Sequence, residues 1–442
     1  MSMKENLIRA RSHIVFLAGL TAAFGLVITL DRLELEEKTA DYLQVKKTHD
    51  IPLAKPTPLT EQEMSWARTA WLYFQNNTQA ATGLVNSVDG YPSTTLWDTS
   101  SYLLATIAAE RLGIIPRKEF DQRITQSLRS LARVQLFDGK LPNKAYDTRT
   151  LAMVDYNNQP TDKGIGWSAI DIGRLLSPLN ILIWNYPSHT DEVKSVVAAW
   201  DFNALLKDGA LQGAALDGNS VIQLLQEGRL GYEEYAAKSL SLLGLDVSRA
   251  MLYGDHLQYI DIYGVNVPTD SRVPERYHAH NYVVSEPYIL DGIEYGWDNT
   301  SKEFAFRVFR AQEERFERTG QLTAVSEDNI DQAPYFVYNT VFTSGKSWNT
   351  ITEKGEDASA FRSISTKAAM GWHMLYRTSY TEKLMHAVEK LHDPKKGWYS
   401  GLYEQTGKPN TAITANTNGI ILESLCYRKF GPMVRPYIEM KD

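Results

Sequence analysis

The sequence predicts a ring of paired helices, an all-α (α/α)6 toroid with long loops, on three observations. Helix-period patterning runs from about residue 60 almost to the end of the 442-residue chain, with no long Pro-, Ser- or Gly-rich linker. One large domain is therefore expected over residues 60–442. The helices are of two kinds. Thr99–Ala109, Ser168–Ile183, Tyr235–Leu243, Thr366–Tyr376 and Asn418–Cys426, with Glu286–Tyr295 as a sixth, are poor in charge and rich in small and apolar residues. They read as inner helices, and the Lys-, Arg- and Glu-striped helices between them as an outer ring. Thirdly, loops of Gly, aromatic and small polar residues lead into inner helices, as at Thr94–Ala105, Gly231–Leu240 and Asn416–Glu423. Such loops point to a polar, aromatic-lined cleft at one end of the ring. A seven-pair ring or an irregular bundle is the alternative.

Taken in order, the chain opens with residues 1–12, read as a cytoplasmic N-terminus, and residues 13–30, read as a transmembrane helix. Ile14–Leu30 is 17 uncharged and mostly apolar residues, about 25 Å of helix against a hydrocarbon core of about 30 Å. Lys4, Arg9 and Arg11 precede it and Asp31, Glu34, Glu36 and Glu37 follow. The positive-inside rule then gives a single-pass protein of the inner membrane with its body in the periplasm or outside the cell. Cleavage as a signal peptide is the competing reading, although no A-x-A-like site ends the run. Residues 31–59, with Pro52, Pro56 and Pro58, read as a stalk. Glu61–Phe74 is amphipathic, and Thr60 with Glu63 forms a capping-box pattern. Further helices are expected at Thr99–Leu112, Lys118–Arg133, Ser168–Ile183, Thr190–Leu206, Glu233–Leu243, Lys302–Thr319, Thr366–Tyr376, Thr381–Leu391 and Asn418–Phe430. Strand signals are few and lie in the long loops, for instance Tyr335–Tyr338. Cys426 is the only cysteine, so no intrachain disulfide can form.

The net charge of −7, with Lys and Arg scattered among acids, argues against a nucleic-acid partner. Aromatics make up 11% of residues, including 10 Trp and 24 Tyr, which suits stacking on the sugars of a polysaccharide. There is no phosphate loop or dinucleotide fingerprint, so no cofactor is expected. His278 and His280 lack a zinc framework, and the loop Asp328–Asp331 lacks EF-hand spacing and reads as solvated. No metal is expected.

Glycosidic cleavage uses a protonated carboxylic acid at the leaving oxygen and a second carboxylate. Asp98 opens an inner helix, as a cap or as a catalytic group. Glu227, Glu233 and Glu234 crowd the start of another, where repulsion between neighbouring acids lets one keep its proton. Glu234, helped by Glu233, is the expected general acid; the competing role for Glu233 is a cap paired with Arg229. Glu286 is the next catalytic candidate, and Asp291 and Glu294 share a helix face beside it. Trp97, Tyr232, Tyr288 and Trp297 are expected to stack on sugar rings, with Glu227 and Asp291 also binding substrate. Asp171 reads as the salt-bridge partner of Arg174. The run Tyr277–Tyr282 carries the His, Asn and Tyr types that a polysaccharide lyase uses.

The segments Thr82–Ala105, Leu136–Tyr146, Gly166–Leu176 and Ala279–Trp297 resemble the bacterial domain-of-unknown-function family 3131, over roughly residues 60–430. Gly231–Gly244 also resembles the glycoamylase-like group, which includes endo-β-1,2-glucanases and the cyclisation domains of cyclic β-1,2-glucan synthases. In that likeness Glu234 falls on the acidic position, and Glu233 replaces an Asn. The resemblance implies an (α/α)6 toroid and a glycoside hydrolase or transglycosylase acting on an envelope, capsular or exopolysaccharide glycan, with β-glucan favoured. A polysaccharide synthase or export machinery is a candidate partner, beside the polysaccharide itself and the membrane. A lyase, and a non-catalytic glycan-binding assembly factor, remain as alternatives.

Overall fold

A computed structural model describes residues 45, 47–277 and 280–435. The expected cytoplasmic segment, the membrane anchor and the first part of the stalk lie outside these residues. Among the described residues no helix is long and apolar enough to cross a membrane.

Among the described residues six inner helices form the ring: α2 (Leu96–Arg111), α4 (Ala169–Asn185), α6 (Tyr232–Ser241), α7 (Glu286–Leu290), α9 (Thr366–Tyr376) and α11 (Ala415–Phe430). Each packs on the next in this order, and α11 closes the ring on α2. Their poverty in charge follows from burial. In α9 every residue from Thr366 to Tyr376 is buried, a position in which an unpaired ion would be costly. Outside them stand α1 (Glu61–Asn77), α3 (Arg117–Leu131), α5 (Thr190–Val197), α8 (Asn299–Thr319) and α10 (Ser379–Val388). Thr60 and Glu63 make the expected capping box at the start of α1.

The outer position between α6 and α7 departs from the expected pattern. An antiparallel hairpin, Leu257–Ile262 against Val265–Asp270, occupies this part of the chain and packs on α8. Ile260–Ile262 and Val265–Val267 alternate apolar and polar residues, and Pro268 within the second strand disfavours a helix there. The expected helix Thr190–Leu206 stops at Val197; Asp201 then accepts a hydrogen bond from the Asn203 amide (3.1 Å) and starts a separate 3-10 turn, Phe202–Leu205.

Connections from an inner to the next outer helix are short, as at residues 112–116 and 377–378, whereas those from outer to inner are long. The long ones deliver the chain to inner-helix N-termini, so the loops gather at that end of the ring. They also hold more strands than the sequence suggests, most of them two to seven residues long, too short to leave a clear two-residue period. Ser93–Thr95 pairs with Ala145–Asp147 just before α2, and Ser363–Ser365 pairs with Gly401–Tyr403 just before α9. These pairs fix the N-terminal ends of the helices they precede.

Small residues set how closely inner helices approach. A Cβ on Gly173 of α4 would stand 2.8 Å from both the carbonyl oxygen and the Cβ of Ala236 in α6. Alanine has the better helix propensity by about 1 kcal/mol, but overpacking costs about 1–3 kcal/mol, and here part of the obstacle is backbone. Gly173→Ala is expected to lower the urea midpoint; an unchanged or higher midpoint would show that the ring can widen freely.

Candidate active site

The floor of the cleft is a closed layer of charge. Glu286 is the first residue of α7, and its carboxylate is fully buried between Lys367 Nζ at 2.5 Å and Arg174 Nη1 at 3.5 Å. It also accepts hydrogen bonds from Trp97 Nε1 (2.9 Å) and Asn416 Nδ2 (3.0 Å). One carboxylate thus ties together α2, α4, α9 and α11. Burial opposes its ionisation, yet Lys367 and Arg174 hold its pKa below the usual carboxylate range. Arg174 also reaches Glu423 at 3.3 Å and lies under the Trp97 ring, 4.4 Å from its centroid. Glu294, which accepts from the Tyr235 hydroxyl at 2.7 Å, and Glu423 are both pushed toward the protonated form by burial. Asp328, expected in a solvated loop, is 2% exposed and faces Lys367 at 3.5 Å; burial pushes it up to about 7.

Above this floor the acids are only partly exposed. Asp98 and Asp171 are each the third residue of an inner helix, and the hydroxyls of Thr95 and Ser168 accept their backbone N–H groups at 3.1 Å. Asp98 further accepts hydrogen bonds from Ser87 (2.5 Å) and Thr95 (2.8 Å). Glu227 arrives from the loop before α6 and accepts the backbone N–H of Ala169, the first residue of α4. The N-terminus of a helix favours an anion there. Burial and then the neighbouring Glu227 push Asp171 up to about 7, so near neutrality it keeps a proton for part of the time. Burial also raises Asp98. Asp98, Asp171, Glu227, Trp97 and Asn416 are all part-exposed, unlike Glu286. The cleft therefore presents a protonated carboxyl beside acids of unequal environment, within reach of solvent. The local reading of Asp171 as the partner of Arg174 is corrected here, because Glu286 and Glu423 occupy that guanidinium.

Of the remaining candidates the structure keeps Tyr232 beside Trp97 and separates the others from this cleft. Tyr232 and Tyr235 pack edge-on to Trp97, with centroids 5.6 and 6.2 Å away, and α-helical geometry turns the two residues between them elsewhere. Glu233 pairs with Arg272 at 2.6 Å, not with Arg229, and accepts from Gln226 at 3.1 Å. Glu234 accepts the backbone N–H of Gly231, the N-cap of α6, at 2.7 Å. Burial, then Glu233, raises it well above the ordinary value. Both acids line a side cavity of about 220 Å³ with Tyr253, His256 and Arg272. Tyr288 is buried with its ring against Gly231. Asp291 pairs with Lys238 at 2.7 Å. Trp297 donates to the Tyr288 carbonyl (2.8 Å) and stacks on Tyr376, the last residue of α9 and hence at the other end of the ring. The fold thus brings Trp97, Asp98, Glu227, Tyr232 and Glu286 together, and places Glu233, Glu234, Tyr288, Asp291 and Trp297 in other surroundings.

A model of the family described as a protein of unknown function, DUF3131, matches residues 65–431. The chain belongs to the DUF3131 family. No curated protein matches it. Among solved structures, this DUF3131 chain is similar to an endo-β-1,2-glucanase from Chitinophaga pinensis in complex with sophorotriose and glucose, with a TM-score of 0.59 and 12% identity over 85% of this chain and 94% of the other. It is also similar to an endo-β-1,2-glucanase from Talaromyces funiculosus bound to sophorose, with a TM-score of 0.58 and 10% identity over 84% of each chain. A candidate glucoamylase from Bacteroides caccae has a TM-score of 0.59 and 12% identity over 84% and 94%. Likenesses at this identity establish a shared α/α-toroid fold for the DUF3131 chain.

Proposed function

We propose that this protein is a glycoside hydrolase-like enzyme that cleaves a glucan, with β-1,2-linked chains favoured. One observation carries the reading: Asp171, raised to about 7, stands beside Glu227 in a water-reached cleft at the inner-helix N-termini. A general acid needs this combination of a retained proton and access to the leaving oxygen. In this reading Asp171 gives its proton to the glycosidic oxygen as the bond to the anomeric carbon breaks. Asp98, at the same position on the neighbouring helix, is the second carboxylate and takes a proton from the water whose oxygen bonds to that carbon. Trp97, fixed from beneath by Arg174 and at its edge by Glu286, offers a sugar-binding ring. Glu234 is buried against Gly231 and less able to reach a chain in the cleft. The glucan preference comes from the bound sugars of the structural relatives. The charge asymmetry around Ile14–Leu30 in the sequence supports a location for this chemistry outside the inner membrane.

The lyase alternative is disfavoured by the cleft's charge. Asp98 and Glu227 disfavour a uronate, and Lys144 is the cation among the largest influences on Asp171 and Glu227. Asn281, which a lyase would use as a neutraliser, donates instead to the backbone carbonyls of Asp270 (2.5 Å) and Arg272 (2.9 Å). The test is to incubate the purified full-length chain with β-1,2-glucan, other neutral β-glucans and polyuronates, and to measure new reducing ends and unsaturated products. Reducing ends from a neutral glucan are expected. Unsaturated products from a polyuronate, or glucan bound but never shortened, would overturn the proposal.

A further inference from the structure

The side cavity that holds Glu233 and Glu234 has no part in the cleft chemistry, yet it is built like a binding site. It measures about 220 Å³ and is lined from the hairpin of Ala210–Leu216 and Ile222–Gln226, from the start of α6 and from residues 249–256. Its inner end is polar and closed: Glu233, Glu234, Tyr253 and Arg272 all line it, and each is more than nine-tenths buried. Arg272 is already paired, with Glu233 at 2.6 Å and with Asp270 at 2.5 Å. The Tyr253 hydroxyl differs. Its ring packs edge-on to Phe304, with centroids 5.2 Å apart. The hydroxyl has no hydrogen-bond partner among the described residues, although the residue is only 3% exposed. Buried polar groups are nearly always partnered, so this one calls for a partner inside the cavity. Leu211 and Tyr277 add apolar wall, with the Tyr277 ring edge-on to His256 at 6.1 Å. The exposed Leu252 and the half-exposed pair Arg249 and Asp255, 3.6 Å apart, mark the mouth.

We infer that this cavity binds one neutral pyranose, held as a ligand and not cleaved. Neutrality follows from the charges that line it. Lys207, Arg249 and Arg272 are matched by Asp208, Glu233 and Asp255. Burial pushes Glu234 toward its protonated form and His256 toward its uncharged form. An ionic ligand would bring a charge that this matched set does not compensate, at a cost in desolvation. Size follows from the volume. Drug-sized ligands fill about 300–1,000 Å³, so a cavity of about 220 Å³ suits a single sugar ring rather than a chain. A pyranose presents hydroxyls, each a donor and an acceptor, to the carboxyl, guanidinium and phenol groups of the inner end, and its C–H faces to Leu211, Leu252 and Tyr277. The site stands without the hydrolase reading, which supplies only the choice of glucose as the probe.

The experiment measures calorimetric binding of glucose, glucosamine and glucuronate to the full-length chain, as wild type, Tyr253→Phe and Leu252→Trp. Wild type is expected to bind glucose more tightly than either charged analogue by about tenfold. Tyr253→Phe removes only the hydroxyl and keeps the packed ring; it is expected to raise the Kd for glucose about three- to tenfold, the loss of one hydrogen bond. Leu252→Trp adds bulk at an exposed position of the mouth and is expected to raise it by about tenfold or more. Circular dichroism confirms that each variant is folded. Glucose binding that both variants leave unchanged would place the sugar elsewhere and overturn the site. A wild type that binds none of the three, or that prefers a charged analogue, would overturn it as well. Reducing ends released from glucan by a chain that binds no glucose would remove the cavity assignment and keep the hydrolase reading. Glucose binding lost in Leu252→Trp, in a chain that never cleaves glucan, would keep the cavity assignment and remove the hydrolase reading.

Discussion

Asp171→Asn is expected to lower glucan cleavage by about 10²–10⁴-fold, the range in which a positioned general acid contributes, and to leave glucan binding in place. The amide keeps the shape of the carboxyl, but has no acidic proton to give. The pH dependence provides an independent measure. Burial and Glu227 push Asp171 up to about 7, and the protonated form is the active one, so kcat/KM should fall as pH rises through that value. Removing the nearby anion with Glu227→Gln lowers the Asp171 pKa and moves the alkaline limb to lower pH. A limb that stays in place in Glu227→Gln would show that another group sets it.

The largest effect on stability is expected from Arg174→Met. Arg174 is fully buried, pairs with Glu286 and Glu423, and underlies Trp97. Replacing a buried ion pair by apolar groups can be neutral, but removing one partner leaves uncompensated charge and costs about 3–5 kcal/mol. Arg174→Met leaves Glu286 with Lys367 alone, and Glu423 without a cation within bonding distance. Urea denaturation should report a loss of that size, and Arg174→Met combined with Glu423→Met should recover part of it because the two sites share one network. A loss below about 1 kcal/mol would mean that Glu286 too neutralises by protonation rather than by pairing.

The ring was legible because burial leaves a compositional mark. Inner helices such as Thr366–Tyr376 have no solvent face on which to carry charge, and the outer helices do. The hairpin at Leu257–Asp270 was less visible because the helical repeat sets an expectation that local alternation must override. Within the site, Asp98, Glu227, Glu286, Trp97 and Tyr232 were marked by position before or at the start of an inner helix. The orientation of Glu233 and Glu234 was not, since it depends on how α6 is rotated within the ring; the i, i+3 pair Tyr232 and Tyr235 is the local signal of the face turned toward Trp97. Asp171 was hidden by a plausible local partner: Arg174 stands three residues on, but acids distant in sequence, Glu286 and Glu423, take it. Asp328 was hidden in the same way, because a polar tetrapeptide reads as solvated until Lys367 is seen beside it.

The central claim places the acid in the cleft rather than in the side cavity, and reducing-end release from β-1,2-glucan by wild type, Asp171→Asn and Glu234→Gln tests it directly. Release is expected from wild type and from Glu234→Gln, whose amide mimics a carboxyl that burial pushes toward the protonated form, and should be nearly abolished in Asp171→Asn. Activity kept by Asp171→Asn and lost in Glu234→Gln would contradict the account.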